Sequence, residues 1–190
     1  MKKMNKKGFT LIELLAVIVI LGLLMAIAIP SVTKYINQSR KKTLAGTIAN
    51  YIQAVSVEVN NGDYSAIGIS DKRIYAIPID CVALEKGGQK TPFGEWFVEK
   101  YNGTSWVSSG NAAYVFVQYD GENSYKYQFA FKDSGGYGMK ATNSNDINAD
   151  AIGTSSDYSL PAGAVVLVPG TAIGVTGEGQ NAVYTCKRAN

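Results

Sequence analysis

Glu13 is the residue of this chain that most needs a partner. It lies in a run from Phe9 to Ile29 whose only other polar side chain is Thr10. A carboxylate in such a run is costly in lipid, so it must meet a cation or take up a proton. Its chemistry is charge pairing rather than bond making. A second group of acceptors lies far downstream. Asp146, Asn148 and Asp150 occupy the first, third and fifth positions of a calcium-loop pattern, with Asp157 at the twelfth. Ala151 stands where the turn glycine belongs, and Asp157 is shorter than the usual bidentate glutamate. These four are a candidate calcium loop set against a plain solvated one. Glu95 and Glu99 form a possible carboxylate pair, though nearby positions on an alternating strand more often make a solvated face. The chain has no histidine, so the usual general base and the usual zinc ligand are missing. Phosphate-binding, dinucleotide-binding and nucleophile-elbow motifs are also lacking. The reading is of a protein that is not an enzyme and calls for no cofactor.

The element that must position Glu13 is a helix. Phe9 to Ile29 contains no proline, and at about 1.5 Å per residue it matches the hydrocarbon thickness of a bilayer. In lipid a helix satisfies its own backbone groups. Lys2, Lys3, Lys6 and Lys7 precede it and place the N-terminus in the cytoplasm. An ordinary secretory signal shares this layout, with Ala26-Ile27-Ala28 as its cleavage site. A glutamate inside the apolar run, and a helical pattern that continues past that site, count against it.

Lys6-Lys7-Gly8-Phe9-Thr10-Leu11-Ile12-Glu13-Leu14-Leu15 resembles the class III signal of type IV prepilins and pseudopilins. The resemblance covers about the first 60 residues. It implies cleavage between Gly8 and Phe9 by a prepilin peptidase, and N-methylation of Phe9. It also implies an assembly role for Glu13, Gly22 and Pro30, with the segment from Gly22 to Pro30 losing helical form in the filament. A cytoplasmic assembly ATPase and a polytopic platform protein are the further partners implied.

The nominal charge of +3 comes from the leader: without its four lysines, 14 Lys and Arg face 15 Asp and Glu. A near-neutral remainder does not advertise nucleic-acid binding, and Lys187-Arg188 is too short to be a DNA site alone. Cys81 and Cys186 fit an exported domain with one disulfide, the alternative being two separate buried thiols. Pilins often carry a cysteine pair near the C-terminus, but here the first cysteine comes much earlier, so their bounded loop does not transfer.

The expected organisation is a leader at 1–8, a membrane and assembly helix at 9–30, an amphipathic half at 31–61 and an extracytoplasmic β-rich head at 62–190. Val32, Ile36, Ile48, Ile52, Val55 and Val59 recur at helical spacing, while Lys34, Arg40, Lys41 and Lys42 fill other faces. Pro30 is expected to bend the helix, and Asn61-Gly62 to stop it. A short strand is expected at Ile74–Ile77. Asn102-Gly103 predicts a two-residue type I′ hairpin between Glu95–Tyr101 and Thr104–Ser108. A second hairpin pairs Ala113–Tyr119 with Ser124–Phe131 around Asp120-Gly121-Glu122-Asn123. Tyr125, Tyr127, Phe129 and Phe131 alternate and should lie against the helix. Lys132 to Pro161 reads as a long loop, and Ala164–Val168 and Ala182–Cys186 as closing strands.

The fold class is therefore α+β: a pilin fold with a long N-terminal helix packed on a mainly antiparallel sheet. The function read from these residues is that of a filament-forming type IV pilus subunit, in the membrane before assembly and extracellular afterwards. A pseudopilin of a secretion or DNA-uptake machine and a minor, tip-located adhesin are the alternatives.

Overall fold

In a computed structural model, which describes residues 9–69, 71–84, 97–122 and 124–189, the apolar stretch and its amphipathic continuation form one helix. This helix, α1 (Leu11–Asn60, 50 residues), continues through Pro30 without a break. It stops where expected: Gly62 has φ 85° and donates to the Val59 carbonyl at 3.1 Å. The chain divides into two units, one up to Arg40 and one from Lys41. Burial begins at Leu44 and continues through Ile48, Tyr51, Ile52, Val55 and Val59, whereas Val32 and Ile36 remain 54% and 45% exposed. Helical spacing alone does not say where a partner surface begins.

Among its described residues the head carries eleven strands. These are β1 (Ile74–Pro78), β2 (Glu99–Tyr101), β3 (Trp106–Ser108), β4 (Ala112–Tyr119), β5 (Tyr125–Lys132) and β6 (Tyr137–Asn143). They continue with β7 (Gly153–Thr154), β8 (Val165–Val166), β9 (Val168–Gly170), β10 (Gly174–Thr176) and β11 (Val183–Lys187). The main sheet has the order β7-β6-β5-β4-β1-β8; a second sheet is β10-β11-β9 and a third is β2-β3. Only β1–β8 and β9–β11 pair parallel among these strands. Ala113, Val115 and Val117 of β4 and Phe129 and Phe131 of β5 join the buried α1 residues in one core, with Tyr125 and Tyr127 at its margin. The alternation on β5 thus packs as expected. The opposite face is covered too: Ala76, Phe116 and Ala130 lie beneath Tyr158 and Ala164.

Three local readings are corrected. The first hairpin has a four-residue connection, Asn102 to Ser105, closed by Ser105 accepting from the Asn102 amide at 3.0 Å. Gly103 has positive φ but Asn102 does not, so the two-residue type I′ turn is excluded. The Asn102 side chain instead accepts from the Thr104 and Ser105 amides, the self-capping habit of asparagine in turns. The start of that expected strand, Glu95 with Trp96, lies outside the described residues.

Second, the stretch from Lys132 to Pro161 is not one long loop, because β6 and β7 lie within it. Its glycines concealed them. A Cβ on Gly138 would stand 2.5 Å from the Thr154 carbonyl oxygen and 3.1 Å from that of Phe131. Glycine here permits close approach between strands rather than marking a turn. Third, the closing segment at Ala164–Val168 is split at Leu167, with β8 joining the main sheet and β9 the second. The second sheet also contains the unanticipated β10.

Candidate functional site

The candidate segment begins at the first turn of α1. Thr10 precedes that helix, and its amide and hydroxyl both donate to one Glu13 carboxylate oxygen at 2.8 Å. The Glu13 amide in turn donates to the Thr10 hydroxyl at 3.3 Å. This reciprocal arrangement is a capping box, written in the sequence as Thr-x-x-Glu. It satisfies amides that a helix leaves open at its start, and a negative side chain also suits that end of the helix dipole. Glu13 therefore serves the helix start whether or not it also meets a cation. The cap leaves the carboxylate exposed in the single chain, where it remains open to a second partner.

From Phe9 to Ile36 every residue is exposed, and α1 is long and apolar enough to cross a membrane. Beyond the helix's own backbone, a Cβ placed on Gly22 would meet no described atom within 4 Å. Pro30 has no amide to return to Ala26, and the Thr33 hydroxyl donates to the nearby Ile29 carbonyl at 2.9 Å. Gly8, where cleavage is expected, lies outside the described residues.

In the head, Cys81 and Cys186 are bonded, with their Cα atoms 5.9 Å apart and a sequence separation of 105. Beside Cys81 lies a feature that the sequence reading passed over. Asp80 is 3% exposed, the one buried charged side chain among the described residues. Its carboxylate accepts from the amides of Phe97 (2.8 Å), Val98 (3.0 Å) and Glu99 (2.8 Å). Burial pushes this carboxyl up from its ordinary range, while the three amides and the Arg188 charge pull the other way. Arg188 pairs with Glu99 at 2.7 Å and lies over the Trp106 ring at 3.6 Å. The Ala189 amide donates to the Asp80 carbonyl at 3.0 Å. The cluster therefore ties the C-terminal strand to both Asp80 and β2. Its sequence signal was a lone aspartate in the apolar run Ile74 to Ala83.

Asp80→Asn removes the charge and turns one acceptor into a donor facing amide hydrogens. On the order of 3 kcal/mol of stability is expected to be lost, a fall of roughly 10 °C in melting temperature. Thermal unfolding of the detergent-solubilised protein checks this; an unchanged midpoint would mean that the amides find water at no cost.

The acidic groups singled out in the sequence do not converge. Asn148 accepts from the amides of Asp150 (2.9 Å) and Ala151 (3.1 Å). Asp157 accepts from the Thr154 amide (2.7 Å) and hydroxyl (3.0 Å), capping its own short turn. Asp146 ends another short turn. Among the described residues no three His, Cys, Asp or Glu side chains are grouped to hold a metal ion. Glu95 lies outside the described residues, and Glu99 is held by Arg188 rather than solvated.

Comparison with known proteins returns to the first turn. A profile described as the prokaryotic N-terminal methylation motif matches residues 3–29. The chain is 49% identical over 51 residues to a ComG operon protein 3 homolog of Bacillus licheniformis, covering 27% of this chain and 52% of that protein. It is 41% identical over 63 residues to fimbrial protein Q of Moraxella bovis, covering 33% and 40%. It is 34% identical over 113 residues to the type IV narrow pilus major component PilA5 of Thermus thermophilus, covering 59% and 78%. The matched stretch thus spans about half or less of the first two relatives. No solved structure matches.

Proposed function

This chain belongs to the type IV pilin family, and on that premise we propose that its activity is polymerisation into an extracellular type IV pilus. One observation carries the choice of a pilus. The likeness to a pilus major component runs for 113 residues, well past the length of α1, whereas the likeness to the ComG protein covers 51. A head that resembles a pilus subunit's favours a filament whose surface is made of heads. The second reading, a pseudopilin of a DNA-uptake machine, rests on the higher identity of that shorter match.

In this reading the subunit waits in the membrane with its N-terminus in the cytoplasm and its head outside. A prepilin peptidase cuts after Gly8 and Phe9 is methylated; an assembly ATPase and a platform protein then lift the subunit into the filament. The exposed apolar surface of α1 moves from lipid into a bundle of identical helices, so its burial is retained. Gly22 supports unwinding in the filament because no packing within the single chain demands its missing side chain. Pro30 supports the same idea by leaving one carbonyl of the preceding turn without its helical donor.

The test is to shear filaments from cells, image them by electron microscopy and weigh the subunit. Long filaments absent from a deletion strain, built of a subunit beginning at a methylated Phe9, are the expected result. Short structures only, with intact DNA-uptake dependence, would favour the pseudopilin. A mature N-terminus at Ile29 would show that an ordinary signal peptidase acts here.

A further inference from the structure

Between Glu13 and Glu58 the chain contains no Asp or Glu, yet it carries Lys34, Arg40, Lys41 and Lys42. Lys34, Arg40 and Lys42 are exposed and Lys41 is half-buried. None of the four belongs to an ion pair among the described residues. All lie on α1 just beyond Ile29, where the apolar stretch ends. We infer that these four residues form a cationic collar that binds the headgroups of anionic phospholipids while the subunit waits in the membrane. The inference rests on the membrane-resident stage of the pilin reading.

The geometry favours a lipid surface over bulk water. With the apolar segment across the bilayer, Lys34 stands about 8 Å beyond the hydrocarbon edge and Lys42 about 20 Å. The polar headgroup layer on each side is roughly 5–7 Å thick. Side chains on a helix lean toward its N-terminus, which here is toward the bilayer. The Lys34 stem therefore lowers its charge toward the phosphates, while Arg40, Lys41 and Lys42 act from farther out, where a screening length of about 8 Å weakens each of them.

The charge balance across the membrane points the same way. Before processing, Lys2, Lys3, Lys6 and Lys7 face four cations on the other side. Once the leader is gone, the collar lies on the side that the positive-inside rule disfavours. Anionic headgroups supply the compensating charge that the helix itself lacks. A cation at such a surface is worth roughly fivefold in binding, a value that Lys34 approaches and the three farther cations fall below, so that together they bias the depth of the waiting subunit. Leaving the membrane then requires exchanging phosphates for other anions.

The full chain, leader included, is reconstituted into phosphatidylcholine vesicles containing spin-labelled phosphatidylglycerol or spin-labelled phosphatidylcholine. Electron paramagnetic resonance reads which lipid is held at the protein. Several-fold selectivity for phosphatidylglycerol is expected, falling with added salt and further in the variant K34Q/R40Q/K41Q/K42Q. Selectivity that survives unchanged in that variant belongs to the leader lysines and overturns the collar. So does loss of subunit self-association in the variant with lipid selectivity untouched, because the collar's partner would then be a second copy. A chain that never enters the bilayer overturns the membrane reading along with the collar. One that enters and shows no selectivity overturns the collar alone.

Discussion

Glu13→Gln, as the cell's only copy, is expected to leave cleavage and membrane insertion intact and to cut pilus number by at least about tenfold, the size of effect that a loss of about 1.4 kcal/mol at a single limiting docking step would produce. The choice of glutamine follows from the first turn of α1. Glutamine can occupy the third position of a capping box, so the Thr10 amide and hydroxyl keep an acceptor in place of the Glu13 carboxylate. The helix start therefore survives, and what disappears is the charge. Processing at Gly8 would create a cation, the Phe9 amine, one helical turn away. We propose that Glu13 pairs productively with a neighbouring subunit's amine and so fixes the axial register of assembly. A docking position that leaves both groups unpaired in an apolar bundle is strongly disfavoured. Counting pili and measuring membrane-bound mature subunit in the same strain separates the roles. Normal pilus numbers would show that Glu13 serves only as a cap. Loss of the mature subunit from the membrane would place its role before assembly.

How far the sequence disclosed this molecule depends on how local each signal was. The helix was plain because apolar length, spacing and the Asn61-Gly62 stop all lie within one stretch, and its end matches to a residue. The β4–β5 hairpin was equally plain, since Tyr127, Phe129 and Phe131 alternate against Val115 and Val117. What stayed hidden depends on partners distant in sequence. Gly138 reads as a turn residue until β7 is known to press against it. Asp80 reads as a surface acid until residues 97–99 bring three amides to it. The capping box is the exception, being entirely local in Thr10 and Glu13. Its apolar setting makes the same carboxylate costly in lipid, so one residue carries two local signals that point in different directions.

Cys186→Ser is expected to produce the largest loss of stability in the head. Opening a loop whose ends are separated by 105 in sequence releases chain entropy equivalent to roughly 4–5 kcal/mol in the unfolded state. For a domain of this size that corresponds to a fall of roughly 10–15 °C in melting temperature. The folded state should change little, because the terminal strand has other holds. Arg188 is paired with Glu99 and stacked on Trp106. Its amide donates to the Gly170 carbonyl and that of Ala189 to the Asp80 carbonyl. Two measurements on the same variant separate the possible origins. If the bond acts through the unfolded chain, global unfolding moves to lower temperature while β11 amides stay protected from hydrogen exchange under native conditions. If it acts as a local staple, β11 amides exchange rapidly and the rest of the head keeps its midpoint. Combining Cys186→Ser with Asp80→Asn sharpens the distinction. Losses that add indicate an unfolded-state effect independent of the Asp80 cluster. A combined loss well above the sum would show that each hold keeps the C-terminal strand in place when the other is gone.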